Sequence, residues 1–511
     1  MNRLGIKVLL WCALPALTGR AQSDTTLTYR VEASANVSSG DYAPLWFTAN
    51  RNGLSSQKPN SAYLRAGLTY RKSFNHGWRI GAGLDLAAAV NSPSEFIVQQ
   101  AYADFSWRVL NLSIGNKERN PLGKNPLLSS GGMVEGNNAR PVPQIRAEIA
   151  DYYTVPGTKG WFAFKGYIAY GRFTDDRWQR DFAGANHQTY VEDILYHSKE
   201  LMFKVGNKER FPLEAELGML MSAQFGGTQH TFSLKDGEWK ETVYEMPHGL
   251  KNYAKVFLAQ AGGDGTTGGD QVNVEGNHVG SWNFALNYYW RDWKFRAYYE
   301  HFFDDHSQMF LQYGRWKDGH LGFEITLPRN RWVNTLLWEG LATKDQSGPI
   351  LYDGDERFPG AAFPGMQVSA CDDYYNNFFY QSWQHYGLGV GNPLLPGPIY
   401  NRDGSLKFRS NRVRANHWAF SGTPSDEWAY RVLMSYALHW GTYVNPLDKI
   451  CKQFSSLYEV TYSPKALSGW HFSVSAAVDH GDYLGNSGGG MITIRKEGDM
   501  YKNKQLCKKY N

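Results

Sequence analysis

The stretch SWNFALNYYWRDWKFRAYYEH, Ser281–His301, decides the fold. Trp282, Phe284, Leu286 and Tyr288 alternate with Ser281, Asn283, Ala285 and Asn287. After a short Arg291-Asp292 connection, Trp293, Phe295, Ala297 and Tyr299 alternate with Lys294, Arg296, Tyr298 and Glu300. Successive side chains on a strand point to opposite faces, so each half has one apolar and one polar face.

The pattern repeats in both directions. Trp78, Ile80, Ala82, Leu84 and Leu86 carry it upstream; Tyr430, Val432, Met434, Tyr436 and Leu438, then Trp470, Phe472, Val474, Ala476 and Val478, carry it downstream. A soluble β-sandwich would alternate in the same way, but three further features point to a transmembrane barrel. Trp78, Trp161, Trp293, Trp428 and Trp470 each open a strand, where an interfacial aromatic girdle would sit. The polar face carries Arg65, Arg79, Asp85, Lys294, Arg296, Glu300, Glu324 and Arg431, which suits a wet lumen. Short connections such as Lys72–Gly77, Gly206–Pro212 and Gly422–Glu427 alternate with long ones such as Ser38–Ser61, Lys117–Pro141, Gly226–His278 and Lys344–Ser410. Asn91–Glu95 is short where a long loop is due. The expectation is an all-β chain: a transmembrane antiparallel β-barrel of about eighteen strands with long extracellular loops. Phe284 and Val474 then face lipid, while Asn283 and Ser473 face the lumen and should accept arginine. Gly249–Gln260 has helical spacing and is read as a short packed loop helix.

A mean hydropathy of −0.50 excludes a helical membrane protein, and a net charge of +5 over 511 residues gives no argument for nucleic acid. Arg3 and Lys7, the apolar run Val8–Leu17 and the site Gly19-Arg20-Ala21 spell a secretory signal peptide over 1–21. The barrel is then expected over 22–497, in the outer membrane, with a basic tail over 498–511. Downstream of the signal, Cys371, Cys451 and Cys507 make no disulfide framework. The strand order nevertheless puts Cys371 in the Lys344–Ser410 loop and Cys451 in a Gly441–Gln453 loop at the same end, so they form a candidate disulfide.

The chain has no Gly-x-Ser-x-Gly, His-Glu-x-x-His or Cys-x-x-Cys motif, so no enzyme, cofactor or metal is expected. His301, Asp304, Asp305 and His306 read as a polar rim and Gly262–Asp270 as a flexible loop. The unusual segment is DDYYNNFFYQSWQHYGLGVGNP, Asp372–Pro393. Its Asp372, Asp373, Tyr374, Tyr375, Asn376, Asn377, Tyr380, Trp383 and His385 are the candidate polysaccharide-binding residues. Aromatic faces stack on sugar rings, and the amide and carboxylate groups satisfy hydroxyls. The same composition would serve a loop folded into the barrel mouth as a plug, and both readings stand.

Pro44–Leu54 (PLWFTANRNGL), Ser129–Ile145 (SSGGMVEGNNARPVPQI), Asn273–Asn283, Tyr298–Phe323 and the Asp372–Pro393 loop resemble the Wzi family of capsule-assembly proteins. The resemblance runs from about Tyr29 to Glu497. It implies an outer-membrane barrel with a lectin-like role in binding or organising capsular or surface polysaccharide. The partners would be that glycan and outer-membrane lipid, and the protein a monomer. The alternative is a channel or transporter for small solutes. The end departs from the usual barrel pattern: Met491–Ile494 is followed by the basic Arg495–Asn511 rather than a closing aromatic.

Overall fold

The computed structural model describes residues 24–272, 274–304, 309, 317–349 and 369–503. The segment 1–21 read as a signal peptide, Cys507, Asp305 and His306 lie outside them. Eighteen strands form one antiparallel sheet. We number them β1 (Thr25–Ser39), β2 (Ala62–Ser73), β3 (Trp78–Val90), β4 (Phe96–Trp107), β5 (Leu110–Asn116) and β6 (Gln144–Thr154). Next come β7 (Phe162–Arg172), β8 (Leu195–Val205), β9 (Leu213–Phe225), β10 (Asn277–Trp290), β11 (Trp293–Asp304) and β12 (Gly319–Thr326). The last six are β13 (Thr335–Ala342), β14 (Val413–Gly422), β15 (Trp428–Gly441), β16 (Pro446–Tyr462), β17 (Trp470–Gly481) and β18 (Ser487–Asn503). β1 pairs with β2 on one side and with β18 on the other, Thr25 opposite Asn503 and Ser39 opposite Gly488, so the sheet closes. Closure leaves no strand edge unpaired, which is what a sheet needs in lipid.

The alternation read from sequence becomes an outside and an inside. On β17, Val474 is 60% exposed and Ser475 is 3%. Leu64, Leu84, Leu286 and Ile492 point outward in the same way. Aromatic rings gather at one end: Trp78 lies 6.1 Å from Trp107, and Trp428 stacks on Tyr462 at 4.6 Å. Inside, charges meet across strands. Arg431 stands opposite Glu459, at 2.7 Å, and Arg65 grips Asp85 through contacts of 2.6–2.9 Å. The connections at the aromatic end run from two to eight residues, while those at the other end reach the 343–412 segment.

Two boundaries differ from the sequence reading. β16 begins at Pro446, so the expected Gly441–Gln453 loop shrinks to 442–445. Cys451 is therefore a strand residue opposite His439, where it is a buried free thiol. Cys371 ends a short strand, Ser369–Cys371, paired with Ser347–Pro349, and only its backbone is described. β18 runs on to Asn503, past the expected end at 497. Both extensions hold exposed charges, such as Asp448, Lys449 and Asp499, because they project beyond the apolar band, where no lipid enforces alternation. The loop helix is present as Leu250–Leu258, with Tyr253 packed on Tyr170 and Phe225 at 5.2 and 4.9 Å.

Arginine at Val474 should cost about 2–4 kcal/mol near the bilayer midplane. Arginine at Ser473, whose side chain lines an internal cavity, should cost far less. Unfolding of the two variants in lipid vesicles checks this, and equal costs would mean that inside and outside are wrongly assigned. Asn283, grouped with Ser473 from sequence, behaves differently. It is 8% exposed and donates to the carbonyl and hydroxyl of Ser281, so it has no room for arginine.

Candidate functional site

The long loops fold inward. The 117–143 loop enters the lumen and is held there by charge. Lys124 Nζ lies 3.0 Å from a Glu300 oxygen on β11 and 3.1 Å from His320 Nδ1 on β12. Glu339 on β13 accepts the Ser130 amide at 2.7 Å, the Ser129 hydroxyl at 2.6 Å and the Tyr298 hydroxyl. Further along, the Glu135 carboxylate accepts hydroxyls of Tyr196, Ser198 (2.5 Å), Ser222 and Tyr167 (3.2 Å), from β8, β9 and β7. An inserted carboxylate is tolerated in such a site because hydrogen bonds to the charged form replace water. The tight fold of this loop needs glycine: a Cβ on Gly132 would lie 2.3 Å from the Glu135 carbonyl.

The aromatic loop lies over this insert. Tyr374, Tyr375, Tyr380 and Trp383 are at most 1% exposed. Trp383 Nε1 donates to the Val134 carbonyl at 2.8 Å, and the Tyr375 hydroxyl donates to the Met133 carbonyl. Tyr374 and Tyr375 pack edge-on against Phe302 of β11 at 4.8 and 5.4 Å. Asn376 is buried and exchanges two bonds with the Phe408 backbone. His385 is buried with its ring nitrogens 2.9 and 2.8 Å from the carbonyls of Arg140 and Thr174; burial lowers its pKa to about 4. Burial also pushes the Tyr374 and Tyr380 hydroxyls well above the usual tyrosine range. Asp372, Asp373 and Asn377 stay partly exposed at the margin. The structure thus brings the candidate residues together, but as the interior of a plug. Their rings face one another and the barrel wall rather than a solvent-open groove. His301 and Asp304, read as rim residues, are buried beneath it, and an Asp304 oxygen accepts the Tyr375 amide at 3.2 Å.

A second cluster stands on the plug. Tyr190–Glu192, Thr228–Lys235 and Glu238–Glu245 form a three-stranded sheet at the long-loop end. Its hairpin turns at Asp236 and Gly237, both with positive φ (55° and 79°), the geometry of a type I′ turn. One face rests on the aromatic loop: Gln229 donates to the Phe379 carbonyl at 2.8 Å, and Tyr244 packs on Phe379 at 5.9 Å. The other face carries stacked rings. Tyr190 lies flat on His230 at 4.6 Å, and His187 lies flat on Trp239 at 4.4 Å. Phe232 meets His187 edge-on at 5.7 Å. Glu241 and Glu192 flank the His230 ring at 2.7 and 3.7 Å. Trp239 is half exposed. Tyr190 is buried against Ala183 and Leu406, while Trp239 and His187 stay exposed; exposed rings beside carboxylates suit a ligand with apolar faces and hydroxyl edges. The sequence reading had left the hairpin of this sheet inside the Gly226–His278 connection. The available signal was Asp236-Gly237 between alternating residues.

No family model matches the chain, and no curated protein matches it. Among solved structures it is similar to Wzi, an outer membrane protein involved in group 1 capsule assembly in Escherichia coli and a carbohydrate-binding β-barrel. The likeness has a TM-score of 0.54 and 13% identity, and covers 91% of this chain and 83% of that one. The chain is an outer-membrane β-barrel. At that identity the likeness is one of fold. Pseudomonas aeruginosa OprD (TM-score 0.44, 7% identity, 93% of this chain and 96% of that one) and Vibrio cholerae OmpT with loop L8 deleted (0.39, 8%, 93% and 100%) are looser matches and carry no argument. In this barrel the short turns and both described chain ends lie on the periplasmic side, and the plug and its aromatic sheet on the outer side.

Proposed function

We propose that this barrel is a lectin-like surface protein that holds or organises capsular or other surface polysaccharide, with the glycan stacking on the outer aromatic sheet. The observation that carries the reading is that sheet: Trp239 and His187 form an exposed, stacked ring pair beside Phe232 and Glu241, on a base formed by the plug. The filled mouth supports the same reading over a solute channel, which needs an open lumen. The carbohydrate binding of the Escherichia coli Wzi barrel agrees with it. Binding here needs stacking and hydrogen bonds, and no catalysis. The ligand contacts move from the buried Tyr374, Tyr375 and Trp383 to the sheet above them.

Changing Trp239 and His187 together to alanine should release surface polysaccharide while the barrel still folds. Losing two ring platforms worth about 0.5–1.5 kcal/mol each predicts a drop in retention of roughly fivefold or more. Cell-associated glycan is measured in a deletion strain carrying either form, with heat-modified gel mobility confirming folding. Normal retention by the folded double variant would remove the sheet from the site. A large steady current from the wild type in planar bilayers would favour the channel.

A further inference from the structure

Between the plug and the periplasmic turns lies a cavity of about 630 Å³. Its wall comes from β14–β18, β1 and β2, and its ceiling from plug residues, among them Arg51, Asn52 and Leu127. Five arginines line it: Arg30, Arg51, Arg65, Arg431 and Arg495. Only three carboxylates do so, and each is already held by an arginine. Glu32 lies 2.5 Å from Arg30, Glu118 lies 3.0 Å from Arg65, and Glu459 lies 2.7 Å from Arg431.

That leaves Arg51 under-paired. Its ion pair among the described residues is a long one, 3.5 Å to the same Glu459. The Nη2 of that long pair and the Nε are both desolvated and make no hydrogen bond among the described residues. Arg495 pairs, among the described residues, with Glu497 at 3.4 Å. A buried guanidinium without a full partner is costly, and its planar fork suits a carboxylate or phosphate. The hydroxyls of Thr461, Ser473 and Thr493 line the same wall and match sugar hydroxyls.

We infer that this cavity is a binding site, open to the periplasm, for a sugar carrying an oxyanion. The oxyanion sits against Arg51 and Arg495, and the ring lies along the hydroxyl-lined wall. The site is separate from the outer sheet and does not depend on glycan binding there.

Calorimetric titration of the full chain in detergent with glucuronate, glucose 6-phosphate and glucose tests it. Binding of glucuronate alone assigns a carboxylate, of glucose 6-phosphate alone a phosphate, and of both a general oxyanion; glucose should give no heat. Arg51→Gln should weaken the anion about tenfold or more, as expected for losing a charge-assisted hydrogen bond. Arg495→Gln, on the wall rather than the plug, should do the same, and heat-modified mobility shows that each variant is folded. In a Ser473→Cys variant the new thiol should be protected from a maleimide by the bound anion. No binding by either anion, equal binding of glucose, or unchanged affinity in the folded arginine variants would overturn the assignment.

Discussion

Replacing Lys124 with methionine should destabilise the folded barrel by about 3–5 kcal/mol, the usual result of removing one partner from a buried ion pair. The Lys124 and Glu300 side chains are 2% and 4% exposed and lie 3.0 Å apart. Glu300 would keep the Met133 amide, at 3.0 Å, but lose its cation. Glu339 lies one step away, 3.4 Å from His320 Nε2, so two carboxylates would remain with a single imidazole between them. The ammonium also sits 4.4 Å from the centre of the Tyr298 ring, a contact that methionine cannot replace electrostatically. The same cluster ties the plug to β11–β13, so plug retention should suffer with stability. Denaturant unfolding in detergent measures the first effect, and current steps in planar bilayers measure the second. Adding Glu300→Gln should recover much of the loss, because the stranded charge disappears with it. A single variant as stable as wild type would show that the cluster does not hold the plug.

Trp383→Ala should cost a similar amount, about 3–5 kcal/mol, as large aromatic truncations in a packed interior do. Trp383 is fully buried, stacks 6.3 Å from Tyr196 and meets Phe173 edge-on at 5.9 Å. Its indole also satisfies the Val134 carbonyl of the inserted loop, which alanine leaves without that donor. The wall strands do not depend on it, so the barrel should still run as a folded species on a gel. The plug should loosen, and large antibiotics normally excluded should enter cells carrying the variant. Unchanged exclusion and stability would mean that the surrounding rings collapse into the space. Because the outer sheet rests on Phe379 of the same loop, glycan retention should fall too. The Trp239 and His187 double variant should lose retention with exclusion intact, which separates binding from packing.

The wall was legible because lipid on one side and polar side chains on the other enforce alternation. The alternating segments at 78–86, 282–288, 293–299, 430–438 and 470–478 all lie in wall strands, and the wall has eighteen strands. Legibility stopped where the bilayer stops. β16 gained Pro446–Gln453 beyond the apolar band, which moved Cys451 from a loop to a strand. The plug was half legible. Its aromatic content was evident, but nothing local shows that Glu135 reaches hydroxyls on three different strands, at positions 167, 196, 198 and 222. Such pairings are set by closure of the barrel, between residues far apart in sequence. The outer sheet was missed because a single Asp-Gly turn is a weak sign inside a connection as long as 226–276.

The seam between β1 and β18 sets the order of events during folding. Most wall contacts join neighbouring hairpins, and these form with short loops to close. The seam joins Ser34 to Thr493 through a hydroxyl pair at 2.8 Å, across 459 positions of chain. Loop-closure entropy rises only as the logarithm of length, but it must be met before the fifteen paired rows at the seam contribute anything. Hairpins should therefore assemble early and the cylinder close late, with the plug threading inward while the gap remains. Once shut, the seam can open only by breaking many rows together, so escape from the native state should be slow even where individual loops are only marginally held.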